Sequence, residues 1–500
     1  MVEFLSLFSN VFLLLISFIA FLFLLDFMKS RKNGSQFPPG PKGIPFLGNI
    51  LQVDFRNPTA TLHQLRKEFG DVYSLQYFWT KVVVLNGFDV MKETLINRSE
   101  DIADRPRFPI YENMEYIGDA RGVIMARYGS SWKENRRFTL STLRDFGMDK
   151  RSLEERVTEE AQCLCSAFKA QKDQFNPHFL INNAVANVIC SIAFGDRFDY
   201  DDVKFRRLLH LLEEAFKAEF GLLAQILNEI PVLVNVPWLL NRVMQPGREV
   251  LELVKEIVSE HQKTWNPNNI RDFIDAYLVE MEKVKDDSSS NINERNLLVT
   301  TFDLFSAGTE TTSTTLRWAL LYMILYPDVQ SKVQKEIDEV IGRERTPTMG
   351  DVLQMPYTYA VIHEVQRCGD IAPLGLPHMT YRDIEVKGYI IPKGTTVITN
   401  LSSVLKDQRV WEKPFQFYPK HFLDENGKFV KREAFMPFSA GRRSCLGEQL
   451  ARMELFLFFT MLLQQLTFEI PNDQPRPRED PLYALTLSPH PYNIGVVPRE

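Results

Sequence analysis

Phe438-Ser439-Ala440-Gly441-Arg442-Arg443-Ser444-Cys445-Leu446-Gly447 runs directly into an apolar helical stretch from Glu448 to Leu466. It gathers one thiol, basic side chains, glycines and an aromatic ring just ahead of a helix. A thiol beside cations and near a helix N-terminus is favoured as thiolate, because positive side chains and outward-pointing N–H groups stabilise the anion. A thiolate is what an axial iron ligand requires. Gly441 and Gly447 let the backbone approach a flat macrocycle closely, Phe438 can lie against its face, and Arg443 can pair with a propionate at its edge. A lone cysteine beside a turn is usually a buried structural thiol. The surrounding residues reverse that expectation here.

The rest of the composition bounds what such a loop can serve. The chain has 500 residues, 45% of them hydrophobic and 37 of them Phe, enough to enclose a bulky apolar cofactor and an apolar substrate cavity. A formal charge of -6 and the lack of an extended basic tract speak against nucleic acid as a partner. Five cysteines, Cys163, Cys165, Cys190, Cys368 and Cys445, are too few and too scattered for a secreted disulfide framework.

From Phe4 to Leu25 the sequence is almost wholly apolar, and about 20 such residues span a bilayer core. Glu3 at the front and no small-residue cleavage site argue for a retained anchor over a cleaved signal. Lys29, Arg31 and Lys32 follow the span, so the positive-inside rule leaves the globular body on the cytoplasmic side. Phe37-Pro38-Pro39-Gly40-Pro41-Lys42-Gly43 reads as a semi-rigid neck. The expected division is a membrane anchor over 1–28, a basic and proline-rich neck over 29–50 and one catalytic domain over 51–500.

Val72 to Leu75 and Lys81 to Leu85 read as strands closed by Asn86-Gly87 turn chemistry. Helical spacing then dominates over Ser152 to Ala170, Phe205 to Leu227 and Glu249 to His261, and Asp286 to Asn291 is a solvated break. Short β runs return between Ile384 and Asn400. The class is mainly α with a minor β region.

Asn293 to Leu325 is long enough to cross a domain as one helix, yet Ala307-Gly308-Thr309-Glu310-Thr311-Thr312 breaks helix propensity at its centre. Violations of this kind mark function. Thr311 can turn its hydroxyl toward a loosened backbone carbonyl, opening a groove for dioxygen and water, while Glu310 or Thr311 relays protons. Glu364 and Arg367 are three apart on one helix face and suit a charge-assisted pair. Trp132 and Arg136, four apart, can direct an indole N–H and a guanidinium at one anion.

The cysteine run fills every fixed position of Phe-x-x-Gly-x-Arg-x-Cys-x-Gly and resembles the haem-binding signature of the cytochrome P-450 family. The resemblance implies a P-450 fold with haem b between the long central helix and the Cys445 loop, O2 as co-substrate, and proton delivery through Glu310 and Thr311. It makes Glu364 and Arg367 a buried structural pair, with His421 in Pro419-Lys420-His421-Phe422 standing where the family has arginine. Trp132, Arg136, Arg105, His378 and Ser439 become candidate propionate partners beside Arg443.

Runs such as Asp383-Ile384-Glu385-Val386 and Ile391-Pro392-Lys393-Gly394-Thr395-Thr396 are most similar to the microsomal second family, subfamily D. There two carboxylates hold a basic substrate nitrogen; Asp303 and Glu219 match them, with Ala307 on the face shared by Asp303 and Thr311. Ile124 and Leu485 stand in the cavity where aromatics are expected. The implied activity is monooxygenation of lipophilic substrates, basic amines first, with steroids and fatty acids open. No flavin or nicotinamide fingerprint is present, so NADPH–cytochrome P-450 reductase is the implied donor, docked on Lys133, Arg137, Lys431, Arg432, Arg442 and Arg452, with cytochrome b5 a second candidate. The implied home is the endoplasmic reticulum membrane. Rival readings are a haem-thiolate isomerase or dehydratase, and a non-catalytic membrane-tethered haem or lipid binder; the Glu310-Thr311 pair argues against both.

Overall fold

The computed structural model describes residue 17 and residues 36–54, 57–112, 122–148, 151–484 and 486–499. The expected span from Phe4 to Leu25, save Ser17, the basic cluster after it and Leu485 lie outside the described residues. Among the described residues no helix is long and apolar enough to cross a membrane. The stretch expected as one catalytic domain contributes to two compact units, Met1–Pro106 with Leu374–Asn400 and Arg107–Pro373 with Leu401–Glu500.

The smaller unit holds helix α1 (Pro58–Phe69) and strands β1 (Val72–Tyr77), β2 (Thr80–Leu85), β3 (His378–Met379), β4 (Ile384–Val386), β5 (Tyr389–Ile391) and β6 (Thr396–Thr399). Its main sheet has the order β1-β2-β6-β3. β1 and β2 pair antiparallel, Val72 with Leu85 through Tyr77 with Thr80, while β6 lies parallel to β2. Alternate residues Tyr73, Leu75, Val82 and Val84 point to one apolar cluster, the period-two pattern of a half-buried sheet. The proline-rich stretch is stitched to β1 by Ser74, whose N–H and hydroxyl donate to the Pro39 and Pro38 carbonyls at 2.7 and 2.8 Å.

The larger unit is helical: α2 (Ser130–Leu143), α3 (Arg151–Lys169), α4 (His178–Ala193), α5 (Val203–Glu219), α6 (Leu222–Glu229), α7 (Pro237–Thr264), α8 (Phe273–Lys283), α9 (Glu294–Leu325), α10 (Pro327–Val340), α11 (Pro356–Gly369) and α12 (Glu448–Gln465). Two antiparallel strand pairs complete it, β7 (Leu466–Glu469) with β10 (Gly495–Pro498), and the C-terminal hairpin β8 (Pro481–Tyr483) with β9 (Leu487–Pro489). α9 is capped by Asn293, whose side chain accepts from the Asn296 N–H at 3.0 Å. It packs against α4, α7, α11 and α12, and every residue from Thr312 to Leu325 is buried.

Two helices depart from the sequence expectation. The continuous helix expected over Phe205 to Leu227 breaks at Phe220-Gly221, between α5 and α6. Conversely α7 starts well before Glu249 and runs through Pro246. An interior proline costs about 3 kcal/mol; burial of Val243, Met244, Val250, Leu251 and Val254 on the same helix offsets it, at roughly 1.5–3 kcal/mol per apolar side chain.

The Glu364–Arg367 pair is wholly buried, with both guanidinium–carboxylate bonds at 2.7–2.8 Å. Arg367 also donates to the carbonyls of Leu405, Pro414 and Gln416. His421 does occupy the third place: its Nε2 accepts the Lys413 N–H at 3.1 Å, so the ring proton sits on Nδ1 and is donated to Glu364 at 3.1–3.2 Å. A carboxylate out of water needs such full satisfaction, since desolvation otherwise exceeds the Coulomb gain. Arg367→Ala would leave Glu364 without its cation, held by the Tyr418 N–H and the His421 ring, and a loss of about 3–5 kcal/mol is expected in denaturant unfolding; His421→Asn, which spares the ion pair, should cost nearer 1 kcal/mol.

Candidate functional site

Cys445 lies between a tight turn and α12. Ser439 (φ 58°) and Gly441 (φ 75°) take left-handed conformations, and the Cys445 N–H closes the loop on the Phe438 carbonyl at 2.9 Å. Burial pushes the thiol up, opposed by the Gly447 N–H and by Arg136. Arg442 and Arg443 were the expected stabilisers; Arg443 instead donates to the Val123 and Ala126 carbonyls and stacks 4.1 Å over the Trp132 ring. Arg136 donates to the Ser444 carbonyl at 2.7 Å. The indole N–H of Trp132, expected to face an anion, donates to Val123 at 3.1 Å, because a buried single donor takes the nearest carbonyl. Cys445, Trp132, Arg136, Arg443 and Phe438 thus come together. Arg105 and His378 belong to the smaller unit, where Arg105 donates to the Leu376 and Pro377 carbonyls and His378 Nδ1 bonds the Ile102 carbonyl at 2.8 Å.

Several openings mark where a large group fits. Cys445 is desolvated by surrounding protein yet retains exposed surface, so it faces an internal volume. A Cβ on Gly447 would meet nothing within 4 Å. The Ser439 hydroxyl is buried without a hydrogen-bond partner. On α9, Ala307 is exposed and Gly308, Glu310 and Thr311 are half-buried, just before the wholly buried half of the helix. A thiol donor, guanidinium groups, an unsatisfied hydroxyl and open space beside Gly447 form a donor set that fits haem.

The Thr311 hydroxyl does turn to the Ala307 carbonyl, at 2.8 Å, and Thr309 and Thr315 back-bond in the same way, but the helix stays unbroken. Glu310 faces another set of partners: its Oε1 accepts from Thr486 at 2.9 Å and Thr314 at 3.2 Å. Burial raises its pKa, and Thr486 and Arg317 oppose the rise. Gly308 serves packing rather than a groove, since a Cβ there would lie 2.4 Å from Ile189 Cδ1 on α4.

Asp303 is 8% exposed, and its Oδ2 accepts the N–H groups of Val123 at 2.7 Å and Ile124 at 3.0 Å. Gly122, at φ +58°, makes that approach possible: a Cβ would sit 2.3 Å from the same oxygen. Glu219 accepts the Tyr111 hydroxyl at 2.7 Å. Desolvation pushes both carboxyls up to about 7, and both raise the Tyr111 pKa, which places them in one electrostatic neighbourhood. Neither has a cationic partner among the described residues.

Sequence reasoning missed Tyr111, Gly122, Thr486 and Glu454. Glu454 on α12 is 1% exposed, leaves Oε1 unpartnered and is pushed up to about 8 by burial, with Thr312 as its partner; a lone acid in the apolar run Met453 to Phe459 was the available signal. His261, Asp272 and Asp275 also bring possible ligand atoms together. They form an ion-pair knot: His261 bonds the Ile257 carbonyl and Asp272, and Arg271 grips Asp275. Of the expected docking residues, Arg452 is engaged with Glu448 at 2.8 Å.

Gly308→Ala should destabilise by about 1–3 kcal/mol through overpacking. Adding Ile189→Val, which deletes the clashing Cδ1, should recover part of that loss in a double-mutant cycle read by denaturant unfolding.

A family model described as Cytochrome P450 matches residues 38–496. Cytochrome P450 2D15 of Canis lupus familiaris is 54% identical over 482 residues, 96% of this chain and 96% of its own length. Cytochrome P450 2D14 of Bos taurus is 55% identical over 489 residues, 97% and 98% of the two chains, and cytochrome P450 2D6 of Homo sapiens is 55% identical over 482 residues, 96% and 97%. With a complete cysteine signature before α12 and a helical unit built round α9, the chain belongs to the cytochrome P450 family, in its subfamily D, as a haem-thiolate monooxygenase.

Proposed function

We propose that this enzyme inserts one atom of O2 into lipophilic xenobiotics, basic amines above all, while the other atom leaves as water and NADPH supplies two electrons through a separate reductase. The observation that carries the amine preference is the pair Asp303 and Glu219, two desolvated carboxyls that lack a cation of their own. A buried anion is stabilised chiefly by an opposite charge, and an ammonium supplies one. Asp303, Ala307 and Thr311 succeed one another at four-residue steps on α9, so an amine held at Asp303 extends its skeleton along that face toward Thr311.

In this reading Cys445 would hold the haem iron through its thiolate, Phe438 and Gly441 would line the ligand loop, and Arg443, Arg136, Trp132 and Ser439 would hold the propionates, with Arg105 and His378 of the smaller unit as further candidates for that role. Haem b supplies the redox chemistry of O2 when bound, its thiolate ligand donating electron density that favours O–O cleavage. Thr311 holds a water through its hydroxyl. Glu310, which burial keeps toward its protonated form, acts as the acid that passes protons to that water. Ile124, whose N–H is fixed on Asp303, and Leu485 shape the substrate wall. Lys133, Arg137, Lys431, Arg432 and Arg442 offer a basic face to NADPH–cytochrome P450 reductase, with cytochrome b5 as a second donor. The location is the endoplasmic reticulum membrane, argued from the sequence of residues 4–25.

Two experiments test this. In Cys445→Ser the ferrous carbon monoxide spectrum of the thiolate form and NADPH-dependent product formation with purified reductase should both disappear; retention of either overturns the ligand assignment. Asp303→Asn keeps an acceptor for the Val123 and Ile124 N–H groups but removes the charge, so a basic amine should bind about 10-fold more weakly, equivalent to about 1.4 kcal/mol, with a neutral isostere nearly unaffected. Because both carboxyls lie near 7, they are neutral below that pH and anionic above it. Affinity for a quaternary ammonium ligand should therefore rise as pH passes upward through about 7 in the wild type.

A further inference from the structure

Three side-chain hydrogen bonds tie β9 and the residues that follow it to α9. Trp318 donates its indole N–H to the Leu487 carbonyl at 2.8 Å, Arg317 donates to the Pro489 carbonyl at 3.3 Å, and the Tyr492 hydroxyl donates to the Arg317 carbonyl at 2.6 Å. These contacts fix β9 against the C-terminal half of the helix. Just before β9, Thr486 is 3% exposed, and its hydroxyl donates to Glu310 Oε1 at 2.9 Å. Thr314, one turn along α9, donates to the same oxygen at 3.2 Å. Most neighbouring hydroxyls on α9 bond backbone carbonyls: Thr309, Thr311 and Thr315 reach four residues back, and Ser306 and Ser313 reach three.

Two donors converging on one oxygen anchor the Glu310 carboxyl at Oε1. Arg317, seven residues along the helix, is 7% exposed and pulls the carboxyl toward ionisation from a distance. Its guanidinium forms no ion pair with Glu310, so orientation rests on the two hydroxyls. Thr314 moves with the helix that carries Glu310. Thr486 does not; it is the contact made from another element.

We propose that Thr486 is a positioning residue for the Glu310 carboxyl, through which the C-terminal hairpin aligns the proton donor of α9. It rests on the reading of Glu310 as that donor. Thr486 adjoins in sequence position 485, expected in the substrate cavity, so a substrate that displaces Thr486 misaligns Glu310 and lowers the yield of product per NADPH consumed. Uncoupled turnover of poorly fitting substrates then originates at the Thr486–Glu310 bond.

The test compares Thr486→Val, which keeps the shape and removes the hydroxyl, with Thr486→Ser, which restores a donor, and with Glu310→Gln. Reconstituted enzyme with reductase is read for NADPH consumed against product formed, for KM and kcat separately, and for the infrared carboxyl bands that vanish in Glu310→Gln. Thr486→Val should lower product per NADPH about 3- to 10-fold, a part of the 10²-fold or more that a general acid contributes. It should leave KM and the ferrous carbon monoxide spectrum as in the wild type and shift the Glu310 band. Thr486→Ser should recover coupling and band position. If Glu310→Gln is impaired while Thr486→Val keeps wild-type coupling and an unshifted band, the positioning role is wrong. Should Thr486→Val lose coupling without recovery in Thr486→Ser, the effect is packing and the role is again wrong. Normal coupling in Glu310→Gln overturns the donor reading itself, and this inference with it.

Discussion

α9 is a core helix, packed by α4, α7, α11 and α12, and that burial decides what its polar residues can do. Inside such a helix a carboxyl must find donors or keep its proton, since an isolated charge in a low-dielectric interior is prohibitively costly. Asp303 has two backbone N–H groups and Glu310 has two hydroxyls, and neither has a salt-bridging cation. Both are left poised, with burial pushing them up and neutral donors pulling them back. Glu364 on α11 shows the contrast: with a guanidinium in bidentate contact it is a structural anion. The same residue type therefore serves as ballast or as chemistry according to the partner packed against it.

The ligand loop was legible because its chemistry is local. Cys445, the left-handed Gly441 and the helix after Gly447 are neighbours in sequence, and the Asn293 cap likewise follows from four consecutive residues. What sequence did not disclose are pairings across the fold. Nothing near Trp132 or Arg443 signals that the carbonyls of Val123 and Ala126 accept from them. Nothing near residue 246 signals that α7 continues through a proline, because the compensation lies in the burial of residues on either side. The break between α5 and α6 was passed over because apolar spacing persists across Phe220-Gly221. Glu454 was readable as an acid stranded in an apolar run, although its partner, Thr312, comes from α9.

Gly308 corrects a more general inference. A glycine and several β-branched residues at mid-helix suggest function, but that inference does not extend to each residue. Gly308 is required by Ile189, and Thr309 and Thr315 simply satisfy backbone carbonyls. The residues that depart from that pattern are Thr312 and Thr314, whose hydroxyls meet carboxylates. Propensity identifies a turn where stability yields to something else. Only the destination of each hydroxyl tells packing from proton chemistry.

The two unpaired carboxyls share one further device. Gly122 faces Asp303 and Gly247 faces Glu219, and a Cβ at either glycine would stand 2.3 or 2.7 Å from a carboxylate oxygen. Bare backbone thus closes over each acid more tightly than any side chain allows, and water is excluded at the oxygen itself. Desolvation is the leading cause of both raised pKa values, so the glycines act on the charge state without contributing a charge. In this geometry a cation brought to either acid would replace no internal cation and break no ion pair, and its charge would offset the desolvation that holds the ionisation back.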